Sequence, residues 1–234
     1  MAEARHSALA SVKPRYRFDP NLGGSQQVLL GLIPPGNDVL DVGCASGYLG
    51  RELALKGCQV WGIENDEEAF THIPPATYVG LVRADLQVID SLPWPEQRFD
   101  VIVAADVLEH LIDPVKTLAV LRHYLKEEGR LLVSLPNIAH LSIRMALLAG
   151  KFQYTESGIL DRTHLHLYTF ATAADLLRDG GFTPYRSLSG SDRFGAFLNR
   201  YRWLGRIFRR LLAYNIVIEA RAQVGVSRSA ESKP

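Results

Sequence analysis

The chain is poor in cysteine, holding only Cys44 and Cys58 among 234 residues. Two thiols cannot build a disulfide framework, and neither has the Cys/His neighbours of a zinc site, so no metal ligand set is expected and a reducing cytoplasm suits the composition. An excess of charge is also missing: Lys+Arg 26 against Asp+Glu 25 leaves a net charge of +1. No global field therefore draws the protein to nucleic acid or to an acidic partner, and any charge-driven binding must be local. No apolar run approaches the roughly 18 residues needed to span a bilayer. The opening MAEARHSALASVKPRYR lacks the apolar centre of a secretory signal. What remains is a length that suits one large domain with its own core.

From Asn37 onward, short β-branched runs alternate with helical patterns. Val39–Val42, Gln59–Ile63, Tyr78–Arg83, Phe99–Ala104 and Arg130–Leu135 read as strands, too short and too continuously apolar for amphipathic helices. Between them, Tyr48–Lys56 reads as a helix stopped by Gly57, and Ala171–Arg178 as one stopped by Gly180. Asp113 and Pro114 supply the N-cap and first position of another helix, with Leu118, Leu121 and Leu125 on its buried face and Gly129 at its end. Phe182–Leu188 and Asn215–Arg221 complete the strands. This rhythm predicts an α/β, doubly wound, Rossmann-like fold over residues 37–225. Residues 1–36 are expected to form an arm and first helix, 193–213 an amphipathic insertion, and 226–234 a disordered tail.

The segment VLDVGCASGYLG, Val39–Gly50, is a strand, a glycine turn and a helix start. That places a ligand at the carboxyl edge of the first strand. A dinucleotide loop would read G-x-G-x-x-G and seat a pyrophosphate on the helix N-terminus; here the loop reads D-x-G-x-x-x-G. Asp41 would repel a pyrophosphate, whereas it suits the amino group and sulfonium of S-adenosylmethionine. A tight βα turn with incidental glycines is the plainer alternative. About 20 residues after Gly43, Glu64 ends the second strand, where an acid holds a ribose diol in nicotinamide and S-adenosylmethionine sites alike. Asp85 follows the third strand, placed for the adenine amino group, with Leu86 to pack on the ring. Asp106 follows the fourth, in a loop with Glu109 and His110. The cofactor contacts expected along this edge are Asp41, Gly43, Cys44, Ala45, Gly47, Tyr48, Glu64, Asn65, Asp85, Leu86, Ala105 and Asp106.

The stretches VLDVGCASG, GIEND, RADL, FDVIVAADVLEHLIDP and GRLLVSLPN resemble the class I S-adenosylmethionine-dependent methyltransferases, in the group that includes the ubiquinone-type O-methyltransferases. The likeness covers about Val28–Thr183, with Ala45 replacing the middle glycine of the family's usual G-C-G-x-G. It implies a seven-stranded, mostly parallel sheet whose last strand is antiparallel, with S-adenosylhomocysteine as the spent cofactor. Ser134–Phe170 is similar to a bacterial subgroup associated with cell-surface polysaccharide biosynthesis. That subgroup usually reads T-H-x-R-F-F-T where this chain has THLHLYT, so His166 replaces an arginine and its fixed charge.

Methyl transfer from a sulfonium needs approach geometry, desolvation and, for a hydroxyl acceptor, a base. His164 and His110 are the candidate bases, and Asp161 could orient His164. The same residues could instead brace a turn. The expected acceptor is a sugar, glycan or other small hydroxylated molecule, with N-methylation as the alternative. An NAD-dependent oxidoreductase and a non-catalytic cofactor-binding protein are the rival classes. Within 193–213, Trp203, Leu204, Ile207, Phe208, Leu211 and Leu212 gather on one side and Arg202, Arg206, Arg209 and Arg210 on the other. Such a helix suits a substrate lid, a homodimer contact or a peripheral membrane surface.

Overall fold

The computed structural model describes residues 24–74, 76–190, 208 and 210–223. Seven strands form one sheet in the order β3-β2-β1-β4-β5-β7-β6. They are β1 Asp38–Val42, β2 Gln59–Glu64, β3 Gly80–Arg83, β4 Phe99–Ala105, β5 Leu125–Pro136, β6 Phe182–Gly190 and β7 Asn215–Ala222. Pairing is parallel from β3 through β5, and β7 runs antiparallel to both of its neighbours. Strand order reverses between β1 and β4, which is where open α/β sheets bind ligands.

The strands lack polar alternation because both faces are covered. Leu40, Val42, Ile102, Ala104, Leu131, Val133 and Ile218 point to one core with the helical residues Leu118, Leu121, Leu176 and Leu177. Val39, Val101, Val103, Leu132 and Val217 point to the other, with the helical residues Leu29, Leu49 and Leu53. The helices are α1 Ser25–Leu32, α2 Tyr48–Leu55, α3 Glu67–Thr71, α4 Pro114–Arg122, α5 Leu141–Leu148 and α6 Phe170–Asp179. Asp113 caps α4 through the Lys116 N–H with Pro114 at its start, as its sequence predicts.

Several boundaries and two helices differ from the sequence reading. α4 ends at Arg122, so Leu125 begins β5, where it pairs with Phe99. β3 begins at Gly80 instead of Tyr78. α3 and α5 were not foreseen: α3 has five residues and no buried one, and in α5 Ile143 and Ala146 are half-buried while Met145, Leu147 and Leu148 are exposed. Of the amphipathic insertion, residues 208 and 210–212 are helical and the greater part lies outside the described residues, as do residues 1–23 and the tail from 224. Cys44 and Cys58 are free and buried. Among the described residues no helix is long and apolar enough to cross a membrane.

Candidate functional site

The first turn of the site is built by backbone. After β1, Gly43 and Cys44 both donate to the Ile63 carbonyl at 2.9 and 3.0 Å, locking the loop to the end of β2. Gly43 has φ +67°, and a β-carbon there would stand 2.7 Å from Val107. Glycine is thus needed for both conformation and space. Ala45, at the position where the family's pattern has glycine, is held at φ +47°. Glu64 secures it: one carboxylate oxygen accepts from the Ala45 N–H at 2.7 Å, and the other accepts from Asn65 and Asp66 at 2.8 Å. Half-buried at the end of β2, Glu64 therefore joins two loops of the sheet edge. Tyr48, at the start of α2, accepts at its hydroxyl from Gln26 at 2.6 Å.

Asp41 sits beneath this loop. Its side chain is 2 % exposed and accepts from the Tyr78 hydroxyl at 2.8 Å, with further support from the Gly50 backbone. Burial pushes its carboxyl up to about 7, with the nearby Glu64 charge adding to the rise and the Tyr78 bond opposing it. The sequence reading expects Asp41 to face a cation; in the structure its carboxylate meets Tyr78, a residue that reading assigns only to a strand. Cys44 is likewise buried, and burial raises its thiol far above the ordinary range. At the next strand ends, Asp85 accepts from the Gln87 N–H at 3.0 Å in a local turn. Leu86 is 7 % exposed and belongs to the core, its carbonyl accepting from the Thr117 hydroxyl. It offers little open surface to a ring.

Asp106 gathers distant elements. With φ +55°, it accepts from Ser134 at 2.9 Å, Asn215 at 3.1 Å and Ser25 at 3.3 Å. β5, β7 and α1 thus meet at one carboxylate beside Ala105, and burial raises it above the usual carboxylate range despite those donors. Ser25, Ser134 and Asn215 were missed by the sequence reading; their only signal is a polar residue at an element end.

A 3₁₀ turn over Leu108–His110 follows, and its Glu109 carbonyl accepts from Leu165 and His166 at 2.8 and 3.2 Å. The segment after β5 is thereby folded back over β4. His110 and His164, 54 positions apart in sequence, meet edge to face with ring centroids 4.8 Å apart. At each, Nδ1 lies 3.1 Å from a backbone carbonyl, of Thr163 for His110 and of Ile159 for His164. A carbonyl only accepts, so Nδ1 carries the proton and Nε2 keeps its lone pair in the neutral ring. Burial lowers His110 below its ordinary value. Asp161 accepts from the Thr163 N–H and hydroxyl at 2.8 and 2.7 Å. The bond that orients His164 comes from Ile159, so the expected Asp161–His164 hydrogen bond is replaced by a carbonyl. His166 reaches the Ile112 carbonyl at 3.3 Å. Glu109 is wholly buried, and neither carboxylate oxygen has a hydrogen-bond partner among the described residues. Burial, with Asp106 and Asp161 nearby, raises it well above the usual range. Glu109, His110 and His164 together offer three ligand-capable atoms within 4.8 Å of one another, a set the sequence reading did not foresee.

The chain is similar to known proteins in sequence and in fold. A methyltransferase domain family model matches residues 15–187. The ubiquinone biosynthesis O-methyltransferase of Cereibacter sphaeroides is 28% identical over 190 residues, covering 78% of this chain and 72% of that protein. Among solved structures, an S-adenosylmethionine-dependent methyltransferase from Mesorhizobium loti has a TM-score of 0.58 at 18% identity, covering 85% of this chain and 98% of its own. Magnesium protoporphyrin IX methyltransferase from Synechocystis, with bound S-adenosylhomocysteine, has a TM-score of 0.56 at 20% identity, over 85% of this chain and 80% of that one. At such identities the structures speak for the fold, and the family match carries the activity. The chain belongs to the methyltransferase domain family and is an S-adenosylmethionine-dependent methyltransferase.

Proposed function

We propose that the protein methylates a hydroxyl of a small acceptor, such as a sugar or a glycan end, bound over the segment from Gly158 to Thr169. The observation that carries this reading is the pair of imidazoles, His110 and His164, packed edge to face, each with Nδ1 held on a backbone carbonyl, which leaves Nε2 as the nitrogen to accept a proton. Such a nitrogen takes the proton of an acceptor hydroxyl as the oxygen attacks the methyl carbon. The new bond is oxygen to carbon, the broken bond is carbon to sulfur, and the electron pair returns to sulfur, leaving a neutral thioether. Support for oxygen as the nucleophile comes from relatives named as ubiquinone biosynthesis O-methyltransferases.

On the cofactor side, the Gly43–Gly47 loop and Tyr48 are assigned to the amino-acid end, Glu64 and Asn65 to the ribose, and Asp85 to the adenine. Asp41 and Cys44 support the loop from below. Ala105 and Asp106 line the passage to the acceptor.

Incubation with methyl-labelled S-adenosylmethionine and a panel of sugars, lipid-linked glycans, phenols and amines tests the reading by mass spectrometry of the products. Label on oxygen is expected; label confined to nitrogen refutes it. His164→Ala should lower kcat by about 10²–10⁴ while leaving cofactor affinity within about 0.5 kcal/mol. Loss of cofactor binding in that variant would return His164 to a structural role.

A further inference from the structure

A wholly buried carboxyl with two unsatisfied oxygens is a rarity that asks for a partner. Glu109 is such a group among the described residues, and ligand atoms of Glu109, His110 and His164 lie within 4.8 Å of one another. Both rings already spend Nδ1–H on fixed carbonyls, at 3.1 Å each. That arrangement sets the tautomer, fixes the ring plane and presents the Nε2 lone pair, as outer hydrogen bonds do for metal-binding histidines. The backbone reinforces it. Leu165 and His166 donate to the Glu109 carbonyl, so the loop that carries His164 is tied to the turn that carries the other two.

We propose that Glu109, His110 and His164 form a binding site for one divalent transition-metal cation of the zinc type. Two imidazoles and one carboxylate match borderline metals, which take nitrogen and oxygen together, better than Mg²⁺ or Ca²⁺, which favour all-oxygen shells. The three candidate atoms lie within 4.8 Å of one another. Donors bound at about 2.0–2.2 Å to one ion stand roughly 3–3.5 Å apart, so small side-chain rotations close the set. Three protein ligands leave a position open. Only the role of that open position rests on the acceptor reading above: with the cation bound, it takes the acceptor hydroxyl and lowers its pKa, whereas the imidazoles act as bases in the cation-free protein. Cation binding itself does not rest on that reading.

The test uses the full-length protein, stripped by chelation and titrated with Zn²⁺, Co²⁺ and Mg²⁺ by calorimetry, without cofactor or acceptor. One Zn²⁺ per chain is expected, with Co²⁺ giving the visible absorption of a low-symmetry four- or five-coordinate site, and Mg²⁺ at least 100-fold weaker. Glu109→Gln and His110→Ala should each weaken Zn²⁺ binding at least 100-fold. Far-UV circular dichroism and S-adenosylhomocysteine affinity, read on the same samples, show whether each variant is folded. The inference is overturned if the wild-type protein binds no Zn²⁺, if Mg²⁺ binds as tightly, or if both folded variants keep wild-type affinity. Absence of Zn²⁺ binding with S-adenosylhomocysteine binding intact would leave the methyltransferase assignment untouched. Products labelled only on nitrogen would overturn the acceptor reading without touching the metal site.

Discussion

Replacing Asp41 with asparagine removes a proton-binding site from beneath the glycine loop while keeping the side chain's shape. In the folded protein the carboxyl ionises near 7, against 3.8 for the ordinary group, because burial penalises the charge. The folded state therefore holds a proton that the unfolded chain has released between those two values. Stability contributed by this group is complete below about pH 4 and is lost as pH rises through 7, which is the sign expected for a raised carboxyl. The loss amounts to about 4 kcal/mol once the group is fully ionised, with some 2–3 kcal/mol of it falling between pH 5 and pH 8. Asparagine has no such term. It keeps an acceptor for the Tyr78 hydroxyl but sacrifices one of the two donor contacts, at a constant cost of about 1 kcal/mol. The assay is urea denaturation of both proteins at pH 5, 6, 7 and 8. The variant should gain on the wild type by about 2–3 kcal/mol across that range, whatever its offset at pH 5. A difference that stays flat with pH would refute the placement of Asp41 as a buried, desolvated acid.

Ala45→Gly should stabilise the protein by about 0.5–1 kcal/mol, because alanine at φ +47° costs about 1–2 kcal/mol and glycine's extra freedom in the unfolded chain returns part of the gain; denaturation with an unchanged m-value checks it, and clear destabilisation would contradict it. Glu64→Ala should weaken S-adenosylhomocysteine binding by at least about 1.5–3 kcal/mol, since it removes the assigned ribose acceptor and frees the Ala45, Asn65 and Asp66 N–H groups together. Calorimetry decides it, and unchanged affinity would displace the ribose site from Glu64.

The strands were legible because a parallel sheet buried on both faces writes itself as unbroken β-branched runs, as in Val39–Val42 and Phe99–Ala104. Boundaries failed where tertiary pairing overrode local pattern. Leu125 continues the helical spacing of Leu118 and Leu121, yet its pairing with Phe99 pulls it into β5. Tyr78 looks like a strand residue, yet its hydroxyl is drawn to Asp41, 37 positions away. In α5 Ile143 and Ala146 turn halfway inward while Met145, Leu147 and Leu148 are exposed, so apolar spacing did not mark its inner face. In the site, the acids at successive strand ends could be read from the sequence because topology alone puts them on one edge. Their partners could not. Ser25 and Asn215 reach Asp106 across 81 and 109 positions, and Glu109 gains its isolation only once the segment carrying His164 folds back.

The place of β7 in the sheet has a consequence for the order of assembly. β6 precedes β7 in the chain, but among the described residues β7 is its only strand neighbour, and β7 lies between β5 and β6. Until β7 has been synthesised, β6 has no strand to join and the edge of β5 stays open. Asn215, the first residue of that late strand, is also a donor to Asp106. The set of hydrogen bonds that fixes Asp106 is thus completed by nearly the last part of the sheet to arrive. A nascent chain that already carries the glycine loop and Glu64 still lacks it, so its competence for methyl transfer should appear abruptly, when β7 inserts, as expected of a fold closed by long-range contacts.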